Sequence, residues 1–289
     1  MKKNILPLRG IQILDFSRHL PGPFATFLLQ KWGAKVIRVV KPEDDEVLSF
    51  PNVMKGKNKI EADLKNPQTL LQIKMLSKKA DVLIESFRPG VMDKLGMGFR
   101  DISKLNSRII YASLNSYGSK DKRAGHDLNY LADSGMLRAI FPEHTKVPGL
   151  PLADLIGGLS AAFQISTFLN IPKMKRKAVY LDIPITETVS EFVHTLDPAV
   201  KQTMKKVAAG HLARYHVYQC KDKKELVVAC LEEKFWKKFV HHLKIPSKIL
   251  GGQENQIVQH LSKRFKSKTQ KEWLKILSDP DLCVSPVNT

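Results

Sequence analysis

The chain has 289 residues, 43% of them hydrophobic, enough to build one large domain or two ordinary ones around a packed core. Its formal net charge of +19 is spread along the whole length, with no recognition-helix, RNP-like or zinc-finger pattern, so nucleic acid is not the expected partner. The cysteines Cys220, Cys230 and Cys283 form no CxxC or Cys/His cluster, which argues against a zinc site or a disulfide framework and for buried or half-buried thiols in a reducing compartment.

Taken in chain order, MKKNILPLRG has lysines and apolar residues, but Arg9 breaks any signal-peptide core. GIQILDF reads as a buried strand, and PGPFATFLLQKWGA as a helix with Pro at its start and Gly at its end. KVIRVV is the next strand. NPQTLLQIKMLSKKA carries apolar residues at Leu70, Leu71, Ile73 and Leu76, an amphipathic helix. DVLIES and RIIYASL are two more apolar strands with a helical piece between them. Strands alternating with helices predict a parallel, doubly wound sheet, whose ligands bind beyond the carboxyl ends of the strands. The most apolar segment, 155–169, is too short to span a bilayer and carries Gln164; it is expected to be a buried helix. The protein is therefore expected in the cytoplasm, with no membrane partner.

The pattern changes after about residue 180. YHVYQC and ELVVAC predict an antiparallel pair joined by the polar KDKK turn, and three helices follow in EEKFWKKFVHHL, ENQIVQHLSKRFKS and TQKEWLKILS. The expected organisation is a large Rossmann-like domain over 1–185 and a smaller α+β domain over 200–289. No GxGxxG follows the first strand and no GxxxxGK[ST] occurs, which disfavours a nicotinamide dehydrogenase and a P-loop NTPase.

Four cations stand at successive strand exits: Arg38 and Lys41 after the second strand, Arg88 in ESFRPG after the third, and Lys94 on the short helix beyond. Each alone is an ordinary surface cation. Together they suit a phosphate-rich ligand. His126, between Gly125 and Asp127, is a proton acceptor useful near neutral pH, or else a capping or core histidine. Asp154 precedes the apolar helix, where a carboxylate serves as an N-cap and as a held charge. Glu232 begins a helix after ELVVACL and taken alone is a helix-start acid.

These residues occur in segments with a collective resemblance. LRGIQILDFSRHLPGPFATFLLQKWGAKVIRVVKP, ADVLIESFRPGVMDKLGMG, RIIYASLNSYG, AGHDLNYLADSGML and LPLADLIGG, then YHVYQCKD and LVVACLEEKFW, follow one another as in the family III CoA-transferase (CaiB/BaiF) superfamily. Within it the chain most resembles the alpha-methylacyl-CoA racemases. The resemblance implies a Rossmann-like large domain, a small α+β domain, an interlocked homodimer and an acyl-CoA substrate, with coenzyme A as part of the thioester and neither a separate cofactor nor a metal. It implies CoA contacts at Arg38, Lys41, Ala62, Leu64, Arg88 and Lys94, with Asp127 and Tyr130 from the GHD.NY motif. It implies that His126 and Asp154 exchange the α-proton of a 2-methylacyl-CoA, with Glu232 holding or tuning one of them.

The superfamily's other chemistry makes the aspartate at Asp154 a nucleophile in CoA transfer to a carboxylic acid. His126 in GHD.NY, Glu232 before the EKFW helix, and a single glycine in AAGHLARY favour the racemase branch. The departures are KMKRKAVYLDIPI in place of a Gly-Lys-Gly-Gln segment, and Lys41 and Lys94 where arginine is common. Relatives also continue past CVSPVNT to complete the large domain, so the return segment is expected to be missing. A CoA-ester binder with little catalysis is the third reading.

Overall fold

A computed structural model describes residues 5–42, 50–141, 143, 145–195, 207 and 210–288. Its contacts divide the chain into two units, Met1–Arg138 with Lys146–Thr195, and Ala139–Thr145 with Leu196–Thr289. The first unit extends past the expected limit at 185, because the helix Ile185–His194 packs on the apolar helix of that unit.

The first unit opens with β1 (Gln12–Phe16), α1 (Pro21–Lys31) and β2 (Lys35–Val40). It continues through α2 (Pro51–Met54), β3 (Asn58–Glu61), α3 (Pro67–Ser77), β4 (Val82–Glu85), α4 (Val91–Lys94), α5 (Phe99–Leu105) and β5 (Ile110–Asn115). After α6 (Asp127–Asp133) and α7 (Met136–Ile140), whose last two residues are grouped with the second unit, come α8 (Leu152–Leu169), β6 (Val179–Pro184) and α9 (Ile185–His194). The six strands are parallel, in the order β3-β2-β1-β4-β5-β6. Successive residues of the inner strands serve opposite layers. Ile13, Val82, Ile84 and Ala112 join a core with α1, α8 and α9, while Leu14, Leu83 and Tyr111 join another with α3 and α5. Burial on both faces makes these strands apolar throughout.

Buried polar groups anchor β1 to its helix. The Asp15 carboxylate accepts from the Thr26 hydroxyl at 2.6 Å, from the Ser17 hydroxyl and from the Ser17 N–H at 3.0 Å. The Lys57 ammonium lies 3.6 Å from it and donates to the Pro23 carbonyl and to Thr26. A buried carboxylate needs such partners. Glycines set the layer above the sheet. A Cβ on Gly158 would stand 2.5 Å from the Pro21 carbonyl oxygen, and one on Gly157 would stand 2.9 Å from Ile185 Cγ1. The Gly-Gly pair therefore lets α1 and α9 pack closely on α8. The expectation of a buried helix holds for one side of α8 only. α8 buries Ala153, Gly157, Gly158, Ala161, Ala162 and Ile165, while Leu159 and Phe163 are exposed on its other side. By length and composition alone α8 is apolar enough to cross a membrane.

The second unit holds β7 (Tyr215–Gln219), β8 (Glu225–Ala229) and β9 (Val284–Pro286) in an antiparallel sheet of that order. Its helices are α10 (Glu233–His242), α11 (Ser247–Leu250), α12 (Glu254–Phe265) and α13 (Gln270–Ile276). The core gathers Tyr218, Phe239, Phe265 and Trp273, with Tyr218 stacked on Phe265 at 4.8 Å. Cys220 and Cys230 are buried and Cys283 is half-buried.

Candidate active site

The strand order reverses direction between β1 and β4, the point where doubly wound sheets bind ligands. The turns leaving those two strands are tied together there, the Arg18 N–H donating to Ser86 Oγ at 2.9 Å. A cavity of about 280 Å³ opens beside this link. Arg18 and His19 line it from the β1 exit, Ser86 and Arg88 from the β4 exit, and Asn115 and Ser116 from the end of β5. Gly125, His126 and Tyr130 come from α6 and its approach, and Asp154 from α8.

The GHD.NY residues build one wall. Tyr130 is buried, and its hydroxyl donates to the Gly125 carbonyl and accepts from Ser116. A Cβ on residue 125 would lie 2.6 Å from the Tyr130 ring, so any larger residue would have to displace that ring. Burial pushes the Tyr130 hydroxyl up to about 12, which keeps it a neutral hydrogen-bonding strut. His126 is the N-cap residue of α6, its N–H donating to Asn129 Oδ1 at 3.1 Å, and its ring lies at the cavity. His126 is therefore at once the N-cap of a helix and part of the cavity lining.

Asp154 stands at the third position of α8, behind an N-cap at Pro151, so it is not the capping residue. The cap is supplied from α6. The Asp127 carboxylate accepts the Asp154 N–H at 3.0 Å and is bonded by the Ala153 N–H as well. Those first-turn donors are occupied, which removes them as stabilisers of a developing oxyanion. Burial, reinforced by the negative charge of Asp127, pushes the Asp154 carboxyl up to about 7. Burial also raises Asp127, against the pull of the two N–H donors.

The remaining sequence-derived positions divide. Arg88 lines the cavity, on a turn that needs the left-handed Gly90 at φ 85°. Arg38 lies inside β2, paired in register with Asp15 and Lys59, rather than at its exit. Lys41 is exposed just past β2. Ala62, buried just past β3, donates its N–H to the Val40 carbonyl, and Leu64 packs on the core beneath. Lys94 ends α4 and is exposed. None of these last five lines the cavity. Glu232 is exposed at the N-cap of α10 in the second unit. Of the segment AAGHLARY, the first two residues lie outside the described ones.

Sequence reading missed His19, Arg18 and Arg123. Arg123 lies 4.0 Å over the Tyr117 ring and pairs with Asp121 at 2.9 Å. The signal for Arg18 and His19 was positional, since DFSRHLPGP is the turn after the first strand of a doubly wound sheet. No group of three or more His, Cys, Asp or Glu suited to a metal occurs among the described residues.

The family model CoA-transferase family III matches residues 8–289. The chain belongs to CoA-transferase family III. It is 31% identical to the alpha-methylacyl-CoA racemase of Homo sapiens, over 98% of this chain and 78% of that protein. It is 31% identical to the CaiB/baiF CoA-transferase family protein ZK892.4 of Caenorhabditis elegans, over 97% and 85%. It is 29% identical to the succinyl-CoA:glutarate CoA-transferase of Homo sapiens, over 99% and 72%. The crystal structure of Rv3272 from M. tuberculosis superposes with a TM-score of 0.79 at 24% identity, covering 98% of this chain and 84% of that one. That likeness fixes the fold. This family III chain thus stands among racemases and transferases of comparable identity.

Proposed function

We propose that this family III protein racemises 2-methylacyl-CoA thioesters by removing the α-proton with one of His126 and Asp154 and returning a proton from the other. The observation that carries the reading is that an imidazole and a carboxyl raised to about 7 face one cavity. A proton carrier works best with a pKa near the operating pH, and a racemase needs one carrier protonated while the other is not. A carboxyl half-protonated at neutral pH meets that requirement. The step balances without a redox partner. The C–H electron pair moves into the enolate of the thioester, and a proton arrives on the opposite face. Arg88 is assigned to the CoA phosphates, with Lys41, Ala62 and Leu64 just past the ends of β2 and β3, Arg38 within β2 and Lys94 at the end of α4. Tyr130 and Asp127 are assigned to shaping the wall and holding α8. Glu232 is assigned to tuning one carrier. Coenzyme A enters as part of the substrate, and the working form is a cytoplasmic homodimer.

The alternative is CoA transfer with Asp154 as nucleophile, favoured by the transferases among the relatives. That chemistry needs an ionised carboxylate, which a pKa near 7 supplies only in part. The deciding experiment incubates the protein with one epimer of a 2-methylacyl-CoA in deuterated water, without an acceptor acid. Deuterium at the α-carbon with epimerisation is the expected result. No exchange, together with CoA transfer to an added carboxylic acid, would establish the alternative. CoA-ester binding without either reaction would leave a binder.

A further inference from the structure

His19 lies on the turn leaving β1 and lines the same cavity as His126 and Asp154. Its backbone is left-handed, at φ 63°, a conformation uncommon outside glycine and found disproportionately where a side chain must be aimed. The aim is visible in the ring contact. The His19 and His126 imidazoles meet edge to face, with centroids 5.9 Å apart and planes at 80°. A second imidazole therefore stands beside the His126 ring in the cavity lining. The charged groups sharing that cavity are Arg18, Arg88, Arg123, Asp121 and Asp154.

We propose that His19 is a positioning residue for His126. Its ring fixes the plane of the His126 imidazole, so that the proton-carrying nitrogen stays turned toward the substrate carbon shared with Asp154. The inference rests on the racemase reading. A carrier whose ring turns freely spends little time aligned with the C–H bond, and misalignment of this kind lowers turnover without loosening substrate.

The test uses His19→Asn, because asparagine accepts left-handed backbone and so preserves the turn while removing the ring. The kcat for α-deuterium exchange into a 2-methylacyl-CoA should fall about ten- to a hundredfold, with KM held within about twofold. Unchanged kcat, or a raised KM with kcat intact, would overturn the proposal, the latter by making His19 a substrate contact. The second measurement needs no turnover. In the nuclear magnetic resonance spectra of the full chain, the two imidazoles should show a mutual Overhauser contact, and His19→Asn should move the His126 ring signals. Absence of the contact, or His126 signals unmoved by the substitution, would overturn the proposal whatever reaction the chain performs. If exchange and transfer both fail, the reaction reading is lost, and the ring measurement alone decides on His19.

Discussion

His126 and Asp154 enter the cavity from different helices, so their removal should be felt asymmetrically. Each proton carrier serves one face of the α-carbon. His126→Ala should lower exchange from one epimer by on the order of 10²–10⁴-fold, and from the other by less. Isotope exchange measured separately on the two epimers checks this, and equal losses would remove His126 from its role. Arg88 makes a different prediction. It lines the cavity but carries no proton to the α-carbon, so it should act on binding. Arg88→Ala should raise KM for the CoA ester about tenfold, the scale of one lost charge-assisted hydrogen bond, with a smaller change in kcat. An unchanged KM would place the CoA phosphates elsewhere.

The elements explain how two sequence-distant groups come to share that cavity. α8 holds Asp154 only as firmly as it packs on α1 and α9, and that packing has no room for a methyl group. Gly158→Ala drives a Cβ to 2.5 Å from backbone oxygen, where no side-chain rotation relieves it. The expected cost is roughly 1–3 kcal/mol, seen as a lowered urea midpoint; an unchanged midpoint would mean the crossing is looser than described. Much of this scaffold was legible in the sequence. GIQILDF, KVIRVV, DVLIES and RIIYASL read as strands because burial on both faces makes them uniformly apolar. The edge strands were harder. NKIE of β3 alternates weakly and is mostly exposed, and VSP of β9 spans three residues, so neither leaves a periodic signal. His126 and Asp154 stood out because each opens an apolar helix. His19 did not, because its partnership with His126 is created by the parallel sheet and not by spacing along the chain. Arg38 was set at the exit of β2 although KVIRVV, read correctly as the strand, already contains it two residues before its end.

At the scale of the whole molecule, the proton affinities that suit the site weaken the fold. Asp154 and the buried Glu85 at the end of β4 are both pushed up to about 7, chiefly by burial. A carboxyl whose folded pKa lies above its unfolded value favours folding most at low pH. That contribution is full below about pH 4, where both states hold the proton, and is lost as pH rises from there through about 7, the range in which the unfolded state is ionised while the folded state keeps its proton. The net charge of +19 works in the other direction, because self-repulsion eases as the positive charge falls with rising pH. Raw stability against pH therefore mixes opposing trends, and the useful quantity is the difference between the wild type and Asp154→Asn. Between pH 5 and pH 8 the wild type should lose on the order of 2–4 kcal/mol relative to that variant, read from urea midpoints at each pH. A difference that stays flat would mean that Asp154 titrates like an exposed carboxyl. The same result would remove the half-protonated carrier on which the racemase reading depends, because a fully ionised Asp154 at neutral pH is the form suited to nucleophilic CoA transfer.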